Sequence, residues 1–164
     1  TDFTPITAAV VQSSFLLVYP GLGVNTFNEL IDYARRNPGK LSYGTAGTGS
    51  NFHLAGQIIR QATGIDWVHI PYKGGAPAQQ ALIAGEVPVG IFSNTSATAG
   101  LKAGKLKAYA VTGSQRSQFA PELPTLASAG VPGYEADATH GFLVKAGTPE
   151  FKQISNLVKE SPPE

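Results

Sequence analysis

The chain has 164 residues, of which 42% are hydrophobic and 14% are charged, so it can bury a sizeable core as one domain and differs from a disordered chain. Its 12 basic and 11 acidic residues leave a net charge of +1, and without a basic run this argues against nucleic acid or an anionic membrane surface as the main partner. The absence of cysteine excludes a disulfide framework, a thiolate metal site and a thiol nucleophile. Methionine and a basic-then-apolar leader are also absent, so we expect Thr1 to be a processed or fragment N-terminus.

The apolar pattern predicts alternating strands and helices between residues 14 and 112. Ser14–Tyr19 is a continuous apolar run, which is typical of a strand buried on both faces. Further strands are predicted at 41–43, 66–72, 87–92 and 106–112. Four helices are predicted between them: one capped by Asn25 or Thr26, one closed by Gly64, one over 77–84, and a short one ending at Gly104. Alternation with short connections predicts an α/β fold, with a largely parallel sheet and helices on both faces.

The two ends of the chain show less regular patterns. Residues 1–13 favour no element, and residues 113–133 are rich in glycine and proline. His140–Lys145 predicts one more strand and Pro149–Lys159 one more helix. A lone strand and helix cannot bury much surface, so we expect both to be pieces of a second lobe.

The stretch Leu41–Gly64 combines a short strand, a glycine-bearing turn and a helix. The helix repeats its apolar residues three and four apart, at Phe52, Leu54, Ala55, Ile58, Ile59 and Ala62. Strand, glycine turn and helix point unpaired backbone N–H groups at one spot, with the positive end of the helix dipole behind them. This predicts a site for a carboxylate or phosphate at Thr45, Ala46, Gly47, Thr48, Gly49 and Ser50.

That signal is not a nucleotide-binding motif. No lysine follows the glycines as in the phosphate loop of NTPases, and Phe52 stands where a dinucleotide fingerprint has its third glycine. The alternative is structural: Ser50 or Asn51 caps a helix and the glycines make a tight connection. Both interpretations stay open at this point.

Three loops are predicted to meet beyond the carboxyl ends of the strands, where α/β sheets bind their ligands. They are residues 44–50, 72–75 and 93–98. Lys73 is the only cation in them, and it either pairs with a second carboxylate or is an exposed turn lysine. His53 either donates to the ligand or is a partly buried helix histidine. The further candidates from these loops are Tyr72, Gly74, Ser93 and Asn94.

Several runs resemble one protein family in order along nearly the whole chain. They lie at residues 19–56 (beginning YPGLGVNTF), 68–87 (VHIPYKGGAP), 103–117 (AGKLKAYAVTG), 123–136 (LPTLASAGVPG) and 141–149 (GFLVKAGTP). The chain resembles the solute receptors of tripartite tricarboxylate transporters, the Bug or TctC-like proteins. The resemblance implies a two-lobed periplasmic-binding-protein type II-like fold. The implied receptor is periplasmic, has no enzymatic activity, metal or cofactor, and delivers a small carboxylate to a two-component membrane permease.

By the same resemblance, the turn Thr45–Ser50 takes a ligand carboxylate and the Tyr72–Gly75 loop lines the cleft. The match starts about a third of the way into a family member, so the chain is expected to be N-terminally incomplete and to bind ligand weakly alone. We assign residues 1–14 to a crossover from the other lobe, 15–112 to the ligand-binding lobe, and 113–164 to the return crossover with part of the second lobe.

Two other functions remain possible from the residues. The first is a hydrolase or transferase that uses the glycine turn as an oxyanion site, with Ser50 and His69 as a pair, although Ser50 is not in a G-x-S-x-G elbow. The second is the effector-binding domain of a transcription regulator, which would need a DNA-binding helix pair ahead of Thr1. No histidine-rich spacing typical of zinc is present.

Overall fold

The computed structural model describes residues 2–148, and the predicted helix Pro149–Lys159 lies outside them. The chain divides into a larger unit, Ser13–Asp137, and a smaller unit whose described part is residues 2–12 and 138–148. Within 2–148, no helix is both long and apolar enough to cross a membrane.

The elements alternate as the sequence predicts. In chain order they are β1 (Phe3–Gln12), β2 (Ser14–Val18), a 3-10 turn (Pro20–Leu22), α1 (Phe27–Arg36), β3 (Leu41–Thr45), α2 (Asn51–Thr63), β4 (Trp67–Pro71), α3 (Gly75–Ala84), β5 (Val89–Ser93), α4 (Asn94–Lys102), β6 (Lys107–Val111) and β7 (Ala138–Lys145). Local caps explain several boundaries: the Thr26 side chain accepts from the Glu29 amide at the start of α1, and Gly64 takes a left-handed conformation at the end of α2.

The smaller unit contains an antiparallel pair of strands, β1 and β7, running from Phe3 opposite Lys145 to Gln12 opposite Ala138. Sequence reasoning found no element at residues 3–12. The reason is burial: no residue of β1 is buried, and apolar Val10 and Val11 are both exposed. Without a buried face, a strand carries no alternating pattern to detect.

The larger unit is built on a five-stranded sheet in the order β4-β3-β5-β2-β6. β3 pairs in parallel with β4 and β5, whereas β2 runs antiparallel to β5 and β6. Four strands therefore point the same way, and the predicted largely parallel α/β sheet is confirmed with β2 as its reversed member. Every residue of β2 is buried, as expected for a central strand.

Helices cover both faces of this sheet, as predicted. Leu16 and Val18 of β2 pack in one cluster with the apolar residues of α1 and α2. Phe15 and Leu17 point to the other face, into a cluster with α3 and α4. On α2, only part of the predicted apolar stripe is buried: Leu54 is 52% exposed and Ile58 is 38% exposed.

Residues 113–137 are integrated into the larger unit rather than separated from it. Leu126 is fully buried, and its amide donates to the Val111 carbonyl at 2.9 Å. The Tyr134 hydroxyl donates to the Ala55 carbonyl of α2 at 3.1 Å. The division at residue 137 thus differs from the boundary at 112 expected from the sequence, because a few buried anchors in a glycine- and proline-rich segment produce no periodic signal.

Candidate anion-binding site

Three helices begin at the same edge of the sheet, each directly after one of three adjacent parallel strands. α2 follows β3 through the turn 46–50 and has Ser50 as its N-cap. α3 follows β4 with Gly74 as its N-cap and no side-chain cap, and α4 follows β5 with Ser93 as its N-cap. The positive ends of three helix dipoles are therefore brought to one edge, which favours a negatively charged ligand.

The turn between β3 and α2 is exposed and internally braced. Gly47 and Gly49 have positive φ values of 136° and 80°. The Ser50 hydroxyl donates to the Gly47 carbonyl at 2.7 Å and accepts from the His53 amide at 3.2 Å. Thr48 and Gly49 are exposed, so the turn is open to solvent rather than covered by neighbouring side chains.

Some amides of this turn are occupied and others are free. The Gly47 amide donates to the Thr45 hydroxyl at 3.3 Å, and the Gly49 amide donates to His53 Nδ1 at 3.2 Å. Within residues 2–148, the amides of Thr48, Asn51 and Phe52 have no acceptor. These three are the N–H groups that an anion can take without breaking an existing bond.

Two histidines, one on α2 and one on β4, contact the turn and the strand end before it. The rings of His53 on α2 and His69 on β4 have centroids 4.1 Å apart, and His69 Nε2 lies 2.7 Å from the Thr45 hydroxyl. Burial lowers the pKa of His69 below its ordinary value, and the neighbouring His53 lowers it further. His69 is thus a neutral, hydrogen-bonded ring at pH 7.

The loop at residues 72–75 is hydrogen-bonded to the end of β3, directly before the glycine turn. The Tyr72 amide donates to the Thr45 carbonyl at 3.0 Å, and the Tyr72 ring lies 3.3 Å from the position that a Cβ on Gly44 would take. Burial raises the pKa of Tyr72, and Glu86 adds to this effect. Lys73 is exposed, so its ammonium group can approach a ligand or remain in solvent.

The third predicted loop, residues 93–98, is not a separate loop, since α4 begins at Asn94 immediately after β5. The Ser93 hydroxyl accepts from the Ser96 amide at 3.4 Å, as an N-cap does. Asn94 is buried, and its side-chain oxygen accepts from the Thr95 amide at 2.7 Å. The structure therefore brings the predicted site residues to one edge of the sheet, but it engages Ser50, Ser93 and Asn94 in capping and buries Thr45 completely.

Sequence reasoning missed a further cluster at this edge. Because β2 is reversed, its first residue lies opposite Ser93, and the Ser14 amide donates to the Thr112 hydroxyl at 2.8 Å. Next to it, the Ser13 hydroxyl donates to Asp137 at 2.8 Å, joining the two points where the chain enters and leaves the larger unit. No local signal could reveal a pair separated by 124 positions.

The hydrolase alternative is not supported by this geometry. The Ser50 hydroxyl donates to the Gly47 carbonyl, while His69 Nε2 is paired with Thr45, so Ser50 and His69 do not form a nucleophile–base pair. Within the described part of the chain, no group of histidine, aspartate or glutamate residues is arranged to hold a metal ion.

The lowered pKa of His69 predicts that the free energy of unfolding decreases as the pH falls from 7 to 5. The unfolded chain binds a proton on this ring near the ordinary pKa of 6.5, before the folded chain does, so acid favours unfolding. Urea unfolding at the two pH values measures the effect. The difference should shrink in His69→Gln and persist in His140→Gln, which alters an exposed histidine of β7; an equal difference in wild type and His69→Gln would contradict the prediction.

Comparison with known proteins identifies the family. A family model described as the tripartite tricarboxylate transporter family receptor matches residues 1–158. The chain belongs to the tripartite tricarboxylate transporter receptor family. This confirms the resemblance found in the sequence.

Several solved structures share the fold of this chain over most of its length. A Rhodopseudomonas palustris protein, Rpa4515, solved with adipate, is 36% identical with a TM-score of 0.89, covering 96% of this chain and 53% of that one. MatC from the same organism, with bound malate, is 27% identical with a TM-score of 0.86, covering 98% and 56%. The periplasmic binding protein BugD is 34% identical with a TM-score of 0.83, covering 95% and 52%. The periplasmic-binding-protein fold expected from the sequence is confirmed.

The chain spans less than half the length of several curated relatives. Two such relatives are covered over 44% and 45% of their own length.

Proposed function

We propose that this chain is part of a periplasmic receptor that captures a small organic carboxylate at the glycine turn between β3 and α2 and delivers it, chemically unchanged, to a two-component membrane permease. The observation that carries the proposal is the exposed turn with free amides at Thr48, Asn51 and Phe52, at the start of α2. Its occurrence in a member of a receptor family supports binding rather than catalysis.

The physics of anion binding explains why such a turn is useful. A carboxylate that leaves water loses its hydration, so hydrogen-bond donors must already be aimed at it for binding to be favourable. The bonds from Ser50 to Gly47 and from Thr45 to Gly47 hold the turn in place before a ligand arrives. The N-terminal dipole of α2 adds attraction for negative charge without placing a charged side chain at the turn.

A ligand with two carboxylates is favoured as the substrate class. Two similar receptors were solved with adipate and malate, both of which are dicarboxylates. One carboxylate would bind the turn between β3 and α2, and Lys73 in the neighbouring loop would pair with the other. We propose the larger unit, Ser13–Asp137, as the lobe that carries this site.

An NMR titration of the 164-residue chain with adipate tests the proposal and suits weak binding. The amides of Thr48, Asn51 and Phe52 should show the largest chemical-shift changes, while hexane-1,6-diol, which has the same chain length and no charge, should leave them unmoved. Equal shifts with the diol, or adipate shifts confined to another part of the chain, would contradict the proposed site.

Lys73→Ala should weaken adipate binding by up to about fivefold, because an exposed ion pair contributes at most about 1 kcal/mol. It should leave binding of hexanoate, which has one carboxylate, unchanged. The measurement is the dissociation constant of each acid from the same titration. Lys102→Ala, which removes an exposed lysine at the far end of α4, is the matched control, and an equal loss for both acids would rule out a role specific to the second carboxylate.

A further inference from the structure

One amide of the turn is held by a histidine rather than left free. His53 is the third residue of α2, and its Nδ1 accepts from the Gly49 amide, one residue before the N-cap Ser50. In return, the Ser50 hydroxyl accepts from the His53 amide. This resembles a capping box, in which the third helical residue, usually glutamate or glutamine, accepts from the amide of the N-cap. Here the amide that donates belongs to the residue before the N-cap. A histidine in this place makes the bond dependent on its protonation.

The bond to Gly49 determines which nitrogen of His53 carries the proton. A neutral imidazole has one acceptor nitrogen, so acceptance at Nδ1 places the hydrogen on Nε2. The Gln57 side-chain amide lies 3.3 Å from His53 Nε2 and 3.1 Å from the Tyr43 hydroxyl. In the structure it is the nitrogen of this amide that faces both groups and donates to the Tyr43 hydroxyl. A hydrogen on His53 Nε2 requires the flipped amide, in which the Gln57 oxygen accepts from His53.

The titratable and charged groups around His53 lie on several elements. On β4, His69 is kept neutral by burial, and on β3 burial raises the pKa of Tyr43. β5 contributes Phe92, which packs on Phe52, and no residue of β5 is titratable. Arg60, further along α2, is 3.3 Å from Asp66. The turn itself, residues 46–50, has no titratable side chain.

We propose that His53 is a positioning residue that controls the Gly49 amide, so that binding of a carboxylate at the turn is coupled to proton uptake by His53. While the imidazole is neutral, Nδ1 occupies the Gly49 amide. Once a proton from solvent binds Nδ1, this nitrogen no longer accepts, and both the released Gly49 N–H and the new Nδ1–H can donate to a ligand oxygen. This inference rests on the proposed function, and it predicts tighter binding at lower pH.

The first test needs no ligand. In wild type, the Gly49 amide resonance should shift with pH together with the ring resonances of His53, because one event changes both. In His53→Gln, which keeps an acceptor at the third helical position but has no titratable ring, the pH dependence at Gly49 should vanish. His140→Gln, in an exposed histidine of β7, should behave as wild type. A Gly49 amide that does not follow the His53 ring in wild type would overturn the proposal, whatever the stability of the variant.

The second test adds adipate at pH 6.5 and pH 8, where carboxylates are ionised. Coupling to one proton changes the dissociation constant by up to about tenfold per pH unit, so we expect wild type to bind several-fold more tightly at pH 6.5. This gain should disappear in His53→Gln and remain in His140→Gln. Wild type that binds adipate equally at both pH values, or a gain that survives in His53→Gln, would overturn this inference alone. Wild type that binds at neither pH would overturn the proposed function, and the inference with it.

Discussion

We expect Gly56→Ala to lower the free energy of unfolding by about 1–2 kcal/mol, since overpacking of a core costs up to about 3 kcal/mol. A Cβ at this position of α2 would lie 2.3 Å from Cε2 and 2.6 Å from Cζ of Tyr43. Tyr43 is fully buried, and its ring centroid is 4.5 Å from that of Trp67, so it has little room to move aside. The better helix propensity of alanine offsets at most about 1 kcal/mol, so the steric clash with Tyr43 has the larger effect on the free energy of unfolding.

Urea unfolding of wild type and Gly56→Ala measures this loss. Gly75→Ala is the matched control. Gly75 is also a helical residue, the first of α3, but a Cβ there meets nothing within 4 Å. It should be neutral or slightly stabilising. If the two alanine variants were equally stable, the close approach of α2 to Tyr43 would not be a determinant of the fold.

Gly47→Ala is expected to weaken adipate binding at least about tenfold, which corresponds to about 1.4 kcal/mol. The cause is the backbone rather than a clash, since a Cβ on Gly47 would come no closer than 3.6 Å to the Tyr72 carbonyl oxygen. Its φ of 136° is one that side chains other than glycine rarely adopt, and holding alanine there costs about 1–3 kcal/mol. We expect the turn of the variant to relieve this strain by rotating the neighbouring peptides, which would change the direction of the Thr48 amide.

The dissociation constant from the NMR titration provides the measurement. Gly64→Asn is the control: Gly64 has a φ of 69°, a Cβ there meets nothing, and it closes α2 at the end opposite the turn. Asparagine tolerates this conformation, so the control should bind adipate as wild type does. A folded Gly47→Ala protein with unchanged affinity would show that the turn does not hold the carboxylate.

The elements that could be predicted from the sequence are those with short-range causes. Thr26 and Ser50 cap their helices, and Gly64 and Gly85 end theirs in left-handed conformations, each through bonds to residues at most four positions away. The run 14–18 is buried on both faces, as its uniform apolar character indicates. Local chemistry also placed the glycine turn between a strand and a helix, with three loops at one edge of the sheet.

The features that could not be predicted depend on contacts between distant residues. The helical pattern correctly predicts α2, but not the exposure of Leu54 and Ile58, because apolar spacing indicates a face and does not say whether another element covers it. The antiparallel placement of β2 and the bond between Ser13 and Asp137 likewise follow from how the chain returns to the larger unit.

The sequence by itself determined that this chain has an α/β fold, that it resembles transporter receptors, and that a glycine turn precedes its second helix. Only the tertiary structure decided which donors of that turn are available. The Thr45 hydroxyl is hydrogen-bonded to His69, 24 positions away. The Gly49 amide is hydrogen-bonded to His53, whose ring packs against that of His69. A local pattern specifies where the backbone N–H groups point. Whether each N–H already has a hydrogen-bond acceptor is decided by the side chains that folding brings beside it.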